Sequence, residues 1–145
     1  MGTTNWQNFS EILMSKIAII IGSESDRPFI LDAEEYLTEK NISFTTTVLS
    51  AHRNTQATLD FAINLKSKGY KIVIAAAGLS AQLPSLIAAN TTLPVIGIPI
   101  KANNSTDGLD ALLAIAQMPK GTPVATVGIN ASKNAALLAE RILNL

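Results

Sequence analysis

The chain has no cysteine, a single histidine and a single tryptophan. Without cysteine there is no disulfide, no thiolate nucleophile and no sulfur ligand for a metal, a composition that suits a reducing cytoplasm. One histidine without clustered carboxylates offers no ligand set for zinc or calcium, so no metal is expected. Charge of one sign is lacking too. Eleven basic side chains balance eleven acidic ones, so no general field draws the protein to nucleic acid or anionic lipid, and a bound anion must be held locally. Apolar runs such as Ile17 to Ile21 and Ile72 to Ala77 fall far short of the roughly 20 residues that cross a bilayer. Residues 1–15 lack the basic start and continuous apolar stretch of a signal peptide, and Trp6 stands where myristoylation wants serine or threonine. They are expected to be an N-terminal extension to one domain spanning residues 16–145.

What is present is apolar: 48% of 145 residues are hydrophobic, enough for one full core. Ile17-Ala18-Ile19-Ile20-Ile21, ended by Gly22, reads as a strand buried on both faces, the kind found in parallel sheets. After it Asp26 can cap a helix whose first turn holds Pro28, with Phe29, Ala33, Tyr36 and Leu37 at helical spacing up to Asn41. The pattern then recurs. It predicts strands at Phe44–Leu49, Ile72–Ala76, Val95–Ile98 and Val124–Val127, and helices at about Thr55–Lys68, Ala81–Asn90, Leu109–Gln117 and from Ser132 onward. Five such β-α repeats predict a three-layer α/β domain: a parallel five-stranded sheet with helices on both faces, in the flavodoxin-like order 2-1-3-4-5.

Open sheets of this kind bind ligands beyond the carboxyl ends of their strands, where the strand order switches. That rule selects three loops: Gly22-Ser23-Glu24-Ser25-Asp26, Ser50-Ala51-His52-Arg53 and Ala77-Gly78-Leu79-Ser80-Ala81-Gln82. The first can offer backbone N–H groups and the Ser23 and Ser25 hydroxyls to a phosphate, or can be a plain turn with a cap. Its carboxylate, Asp26, would repel a phosphate and suits a ribose hydroxyl or an amine. His52 is the side chain that both gives and takes a proton near neutrality, against a structural role for a lone histidine. Arg53 presents a planar fork that matches a phosphate, against a solvated loop charge. Gly78 lets a ligand approach the backbone or ends its strand, and Pro84 reads as structural. The polar loop Asn103 to Gly108 is a lid or an ordinary exposed turn.

Taken together, these loops resemble the N5-carboxyaminoimidazole ribonucleotide mutase family (PurE) of purine biosynthesis. The resemblance runs from about Lys16 to Leu143. It is carried by Gly22 to Asp26, Ser50 to Arg53, Leu83-Pro84, Gly108-Leu109-Asp110-Ala111-Leu112, the run Gln117 to Val124, and Asn134-Ala135-Ala136-Leu137-Leu138. It implies a cytoplasmic homo-octamer with sites shared between subunits, working on a small ribonucleotide without metal or organic cofactor. It further implies that the carboxylate moves from the exocyclic amine to C4 of an aminoimidazole ribonucleotide. By the same resemblance Ser23, Asp26 and Arg53 bind the nucleotide, Ser50 lines the pocket with Ser25, Gly78, Leu79, Gln82 and Leu83, and His52 is the acid/base.

The chain departs from that pattern in its third loop. Where the family reads Gly-Ala-Gly-Gly-Ala-Ala-His-Leu-Pro-Gly, this sequence has Ala76-Ala77-Gly78-Leu79-Ser80-Ala81-Gln82-Leu83-Pro84-Ser85. A leucine where bare backbone was expected narrows a pocket, and a glutamine keeps hydrogen bonding but loses proton exchange. Arg27 also replaces a common tryptophan. Three alternatives therefore accompany the mutase: a paralogue acting on another ribonucleotide, a lyase-type carboxylase using free carbon dioxide, and a non-catalytic nucleotide-binding subunit.

Overall fold

A computed structural model of the chain describes residues 16–79, 81–101 and 107–145. The strands are β1 (Ile17–Ile21), β2 (Phe44–Val48), β3 (Ile72–Gly78), β4 (Val95–Ile100) and β5 (Ala125–Thr126). Helices α1 (Leu31–Glu39), α2 (Thr55–Asn64), α3 (Gln82–Ala88), α4 (Leu109–Ala116) and α5 (Ser132–Leu143) follow them in turn. All strand pairs are parallel, and the order is β2-β1-β3-β4-β5. This is the predicted flavodoxin-like arrangement.

Alternation along the central strands divides the interior into two layers. Ile17, Ile19, Ile21, Ile74, Ile96 and Ile98 face α1 and α5, whose Leu37, Ala135 and Ala139 close that side. Ala18, Ile20, Val73, Ala75 and Val95 face the other way, toward Ala62 of α2, Ile87 of α3 and Ile115 of α4. Every residue of β1, β3 up to Ala77, and β4 is buried, as parallel strands covered on both faces must be. The edge strand β2, with Thr45, Thr46 and Thr47 at its centre, is half-buried throughout.

The observed boundaries correct several predicted ones. The segment after β1 begins as a 3₁₀ turn over Glu24–Ile30 and becomes α-helical only at Leu31, and its cap is Ser23 rather than Asp26. The Ser23 side chain accepts from the Ser25 N–H at 3.3 Å, so the serine supplies the capping oxygen. Strand β3 runs two residues past Ala76 because β4 continues beside it, pairing Ala77 with Pro99 and Gly78 with Ile100. Helix α2 stops at Asn64, short of Lys68, and its chain leaves through Gly69 at a φ of 91°. The fifth strand shrinks to two residues. The Asn103 to Gly108 loop lies outside the described residues except for Gly108 and Asp107, whose carboxylate pairs with Lys101 at 3.3 Å.

Candidate active site

Strands β1 and β2 stop level with each other, β3 runs two residues further, and the loops that leave their carboxyl ends converge. Between them lies a cavity of about 400 Å³. Its wall includes His52, Ser23, Ser25, Asp26, Ser50, Arg53, Gly78, Leu79, Gln82 and Leu83. The structure thus brings together in one place every residue selected from the sequence as a candidate site residue. Gly22, Ala51, Ala77 and Ala81 complete the lining.

Each loop is fixed by its own bonds. In the first, the Asp26 N–H donates to the Ser23 carbonyl at 3.0 Å and the Ser25 hydroxyl to that of Ser23 at 3.0 Å. This gathers two hydroxyls and a carboxylate at the end of β1. Arg27 turns outward from this group: its Nε and Nη2 clasp Glu24 at 2.8 and 3.1 Å, and it does not line the cavity. The bidentate pair holds the exposed Glu24 carboxyl below its ordinary range, chiefly through hydrogen bonding. Arg53 therefore carries the fixed positive charge within the cavity wall.

The second loop is anchored from beneath. The Arg53 N–H donates to the Ser50 hydroxyl at 3.1 Å, the Asn54 N–H to the Ser50 carbonyl at 2.9 Å, and the Thr55 hydroxyl to the Ala51 carbonyl at 2.7 Å. A residue that the sequence did not mark out, Thr58, completes the anchor. Fully buried on α2, it directs its hydroxyl at the carbonyls of Ser50 and Asn54, at 3.2 and 2.8 Å. A threonine on the inward stripe of a helix was the available signal, since a buried hydroxyl must find a partner. His52 and Arg53 stand exposed on this braced turn, free to meet a ligand.

The third loop is strained. Leu79 sits at a φ of 53° and Ala81 at 45°, in the left-handed region, which costs a residue other than glycine about 1–2 kcal/mol. Gly78 before them is crowded by the sheet, since a Cβ there would lie 3.3 Å from the Ile100 carbonyl oxygen. Leu79 is left 44% exposed at the cavity, while Leu83 is buried in its wall. Pro84 is buried in the first turn of α3, as its structural reading required.

Asp26 is half-buried, and desolvation pushes its carboxyl above the ordinary range against a backbone hydrogen bond from Ser23 that lowers it. A raised folded-state pKa means that the stability tied to the neutral carboxyl is complete below the ordinary carboxylate range and is lost as pH rises through the folded value. Asp26→Asn, which cannot ionise, should therefore raise the melting temperature of the ligand-free protein at pH 7. The gain should fade below about pH 4. Thermal melts across that window test this, and a gain that instead grew toward acid would contradict it.

Among the described residues no group of three or more metal-ligating side chains comes together, and no helix is long and apolar enough to cross a membrane. Hydroxyls, a carboxylate, a guanidinium and an imidazole converge at the switch point of a doubly wound parallel sheet, the place where folds of this class bind small ligands.

Comparison with known proteins narrows that class. The AIR carboxylase family profile matches residues 16–145. The chain is 46% identical over 132 residues to the N5-carboxyaminoimidazole ribonucleotide mutase of Saccharolobus solfataricus, covering 91% of this chain and 83% of that protein. It is 48% identical over 127 residues to the phosphoribosylaminoimidazole carboxylase of Candida albicans, spanning 88% of this chain but 22% of that much longer one. The crystal structure of Treponema denticola PurE superposes with a TM-score of 0.77 at 26% identity, covering 88% of this chain and 79% of that one. The chain belongs to the AIR carboxylase family.

Proposed function

We propose that this protein is an enzyme of purine biosynthesis that interconverts N5-carboxyaminoimidazole ribonucleotide and 4-carboxy-5-aminoimidazole ribonucleotide by carboxylate transfer. The observation that carries this reading is the meeting of His52 and Arg53 with Ser23, Ser25 and Asp26 around one cavity, in a chain 46% identical to a mutase of that name. Arg53 and the serine hydroxyls take the 5′-phosphate, and Asp26 takes the ribose hydroxyls. Ser50 and Gln82 contribute hydrogen bonds at the base, and Gly78 and Leu83 form the wall behind it.

The chemistry needs one proton delivered and one removed. Breaking the N–carboxylate bond leaves carbon dioxide and an amine that has gained a proton. The electron-rich C4 then attacks carbon dioxide to form the new C–C bond, and the hydrogen on C4 must leave to restore the aromatic ring. A single imidazole that first gives its proton to nitrogen and then takes the one from C4 returns to its starting state, so His52 closes the cycle without a second acid or base. The N-to-C transfer consumes no oxidant, reductant or net proton. Exposed Leu109 and Leu113 on α4 and Ile63 on α2 supply apolar surface for association into a homo-octamer, and we place the protein in the cytoplasm. We assign the activity to residues 16–145, with residues 1–15 as an extension outside it.

Purified protein is to be incubated with N5-carboxyaminoimidazole ribonucleotide and, separately, with aminoimidazole ribonucleotide plus bicarbonate. Conversion of the first faster than the second is the expected result. Failure to convert the first sinks the mutase reading, and conversion of the second alone would identify a carboxylase that uses free carbon dioxide.

A further inference from the structure

We propose that the buried hydroxyl of Thr58 holds His52 where it can move the proton, which makes Thr58 a positioning residue although it does not line the cavity. This rests on the carboxylate-transfer reading above and adds to it the group on α2 through which the imidazole is placed.

A base that moves protons is commonly oriented by a further group bonded to it. His52 has no such partner among the described residues: it stands exposed, and the bonds of its turn run to backbone atoms or to the Ser50 hydroxyl. The place of the ring is therefore set by the turn that carries it. Asn54, at the N-cap position of α2, makes no side-chain cap bond, so the residue type best suited to tie this helix start does not do so. Two threonines inside the helix tie it instead. Thr55 reaches back to the Ala51 carbonyl at 2.7 Å, and Thr58 to the carbonyls of Asn54 and Ser50 at 2.8 and 3.2 Å. Thr55 is exposed, so water can replace its bond. Thr58 is 0% exposed, and its bond to Ser50 spans eight residues, from the chain just after β2 to the body of α2. His52 lies in the stretch between.

Ser50 passes the constraint on. Its carbonyl receives the Thr58 hydroxyl and the Asn54 N–H, and its own hydroxyl receives the Arg53 N–H, so both neighbours of the Ala51-His52 step are tied. The two functional side chains of the turn differ in what they tolerate. Proton transfer requires donor and acceptor within hydrogen-bond reach, and a displacement of about 1 Å costs up to about 100-fold in rate. The imidazole is short and cannot make up such a displacement. Arg53 carries its charge at the end of a long stem and can follow a phosphate through the same movement. Loss of the Thr58 hydroxyl should therefore fall on kcat more than on KM.

Two variants separate the hydroxyl from the packing around it. Thr58→Val keeps the shape and removes the hydroxyl, whereas Thr58→Ser keeps the hydroxyl and removes a methyl group. The valine variant folds, because the Ser50 carbonyl still receives the Asn54 N–H and the Asn54 carbonyl still receives the Thr58 N–H, each at 2.9 Å. Thermal melts verify this. With N5-carboxyaminoimidazole ribonucleotide as substrate, Thr58→Val should lower kcat about 10- to 100-fold and leave KM within about threefold of native. Thr58→Ser should keep kcat within about threefold of native, even where it melts at a lower temperature. Tyr36→Phe, which removes a hydrogen bond to Glu140 between α1 and α5, controls for the loss of a hydroxyl elsewhere and should leave kcat unchanged. Amide hydrogen exchange at Arg53 and Asn54, read without substrate, should quicken at least about fivefold in Thr58→Val and not in Thr58→Ser. A native kcat or unchanged exchange in Thr58→Val, or an equal fall of kcat in Thr58→Ser, overturns the positioning role while the mutase reading stands. Absence of any conversion by the native protein would instead remove the mutase reading, and this proposal with it.

Discussion

Replacing His52 with asparagine is expected to slow conversion of N5-carboxyaminoimidazole ribonucleotide by a factor of roughly 10²–10⁴. Asparagine fills a similar space and still hydrogen-bonds, but it neither gives nor takes a proton at neutral pH. The loss should fall on kcat, with KM little changed, because His52 is assigned to the moving proton while Arg53 and the first loop hold the nucleotide. The backbone should not shift, since the turn is braced by the Arg53 N–H to Ser50 hydroxyl bond and by buried Thr58, none of which involves the imidazole. The pH dependence gives a second readout: the native and variant profiles should differ. A variant that turned over within about threefold of the native rate, with the same pH profile, would show that the proton is carried by another group.

The second large effect concerns stability. At Gly97 in the middle of β4, an added Cβ would lie 2.5 Å from Cγ2 of Ile115 and 3.4 Å from Cγ1 of Val124. Ile115 is fully buried on α4. Gly97→Ala must therefore lift α4 from the sheet, at a cost of about 1–3 kcal/mol or somewhat more. For a domain of this size that is a fall of roughly 4–10 °C in melting temperature. Combining it with Ile115→Ala should give less than the sum of the two losses, because each change relieves part of the other's effect. Melting curves of the two single variants and the double variant decide the matter. A Gly97→Ala protein that melts within about 1 °C of the native one would mean that the close approach of α4 is not required.

These two sites differ in how plainly the sequence announced them. His52 stood out as the sole histidine, after a run of β-branched and apolar residues that had to end near it. Gly97 lies inside Val95-Ile96-Gly97-Ile98, where a glycine reads as a weak point in a strand, and only Ile115, far along the chain, explains it. The first helix misled for a related reason. Asp26 and Pro28 have the spacing of a cap and a first turn, but the hydroxyl of Ser23 reaches the Ser25 N–H first and the chain winds as a 3₁₀ turn to Ile30. The outcome mattered for the site, since Ser23 supplies the capping oxygen while Asp26 lines the cavity.

Sequence by itself determined the sheet, the order of its strands and the three loops at its switch point. Those depend on local patterning, on short apolar runs buried on both faces, and on chain-handedness rules that hold for any parallel sheet. Tertiary structure alone decided the left-handed turn that places Leu79 at the cavity, the support of Ser50 by Thr58 and the glycine under Ile115. Each is a contact or a constraint between segments that meet only on folding. Residue type and spacing specify which surfaces are buried, while the geometry at a site is set by what the opposing surface leaves room for.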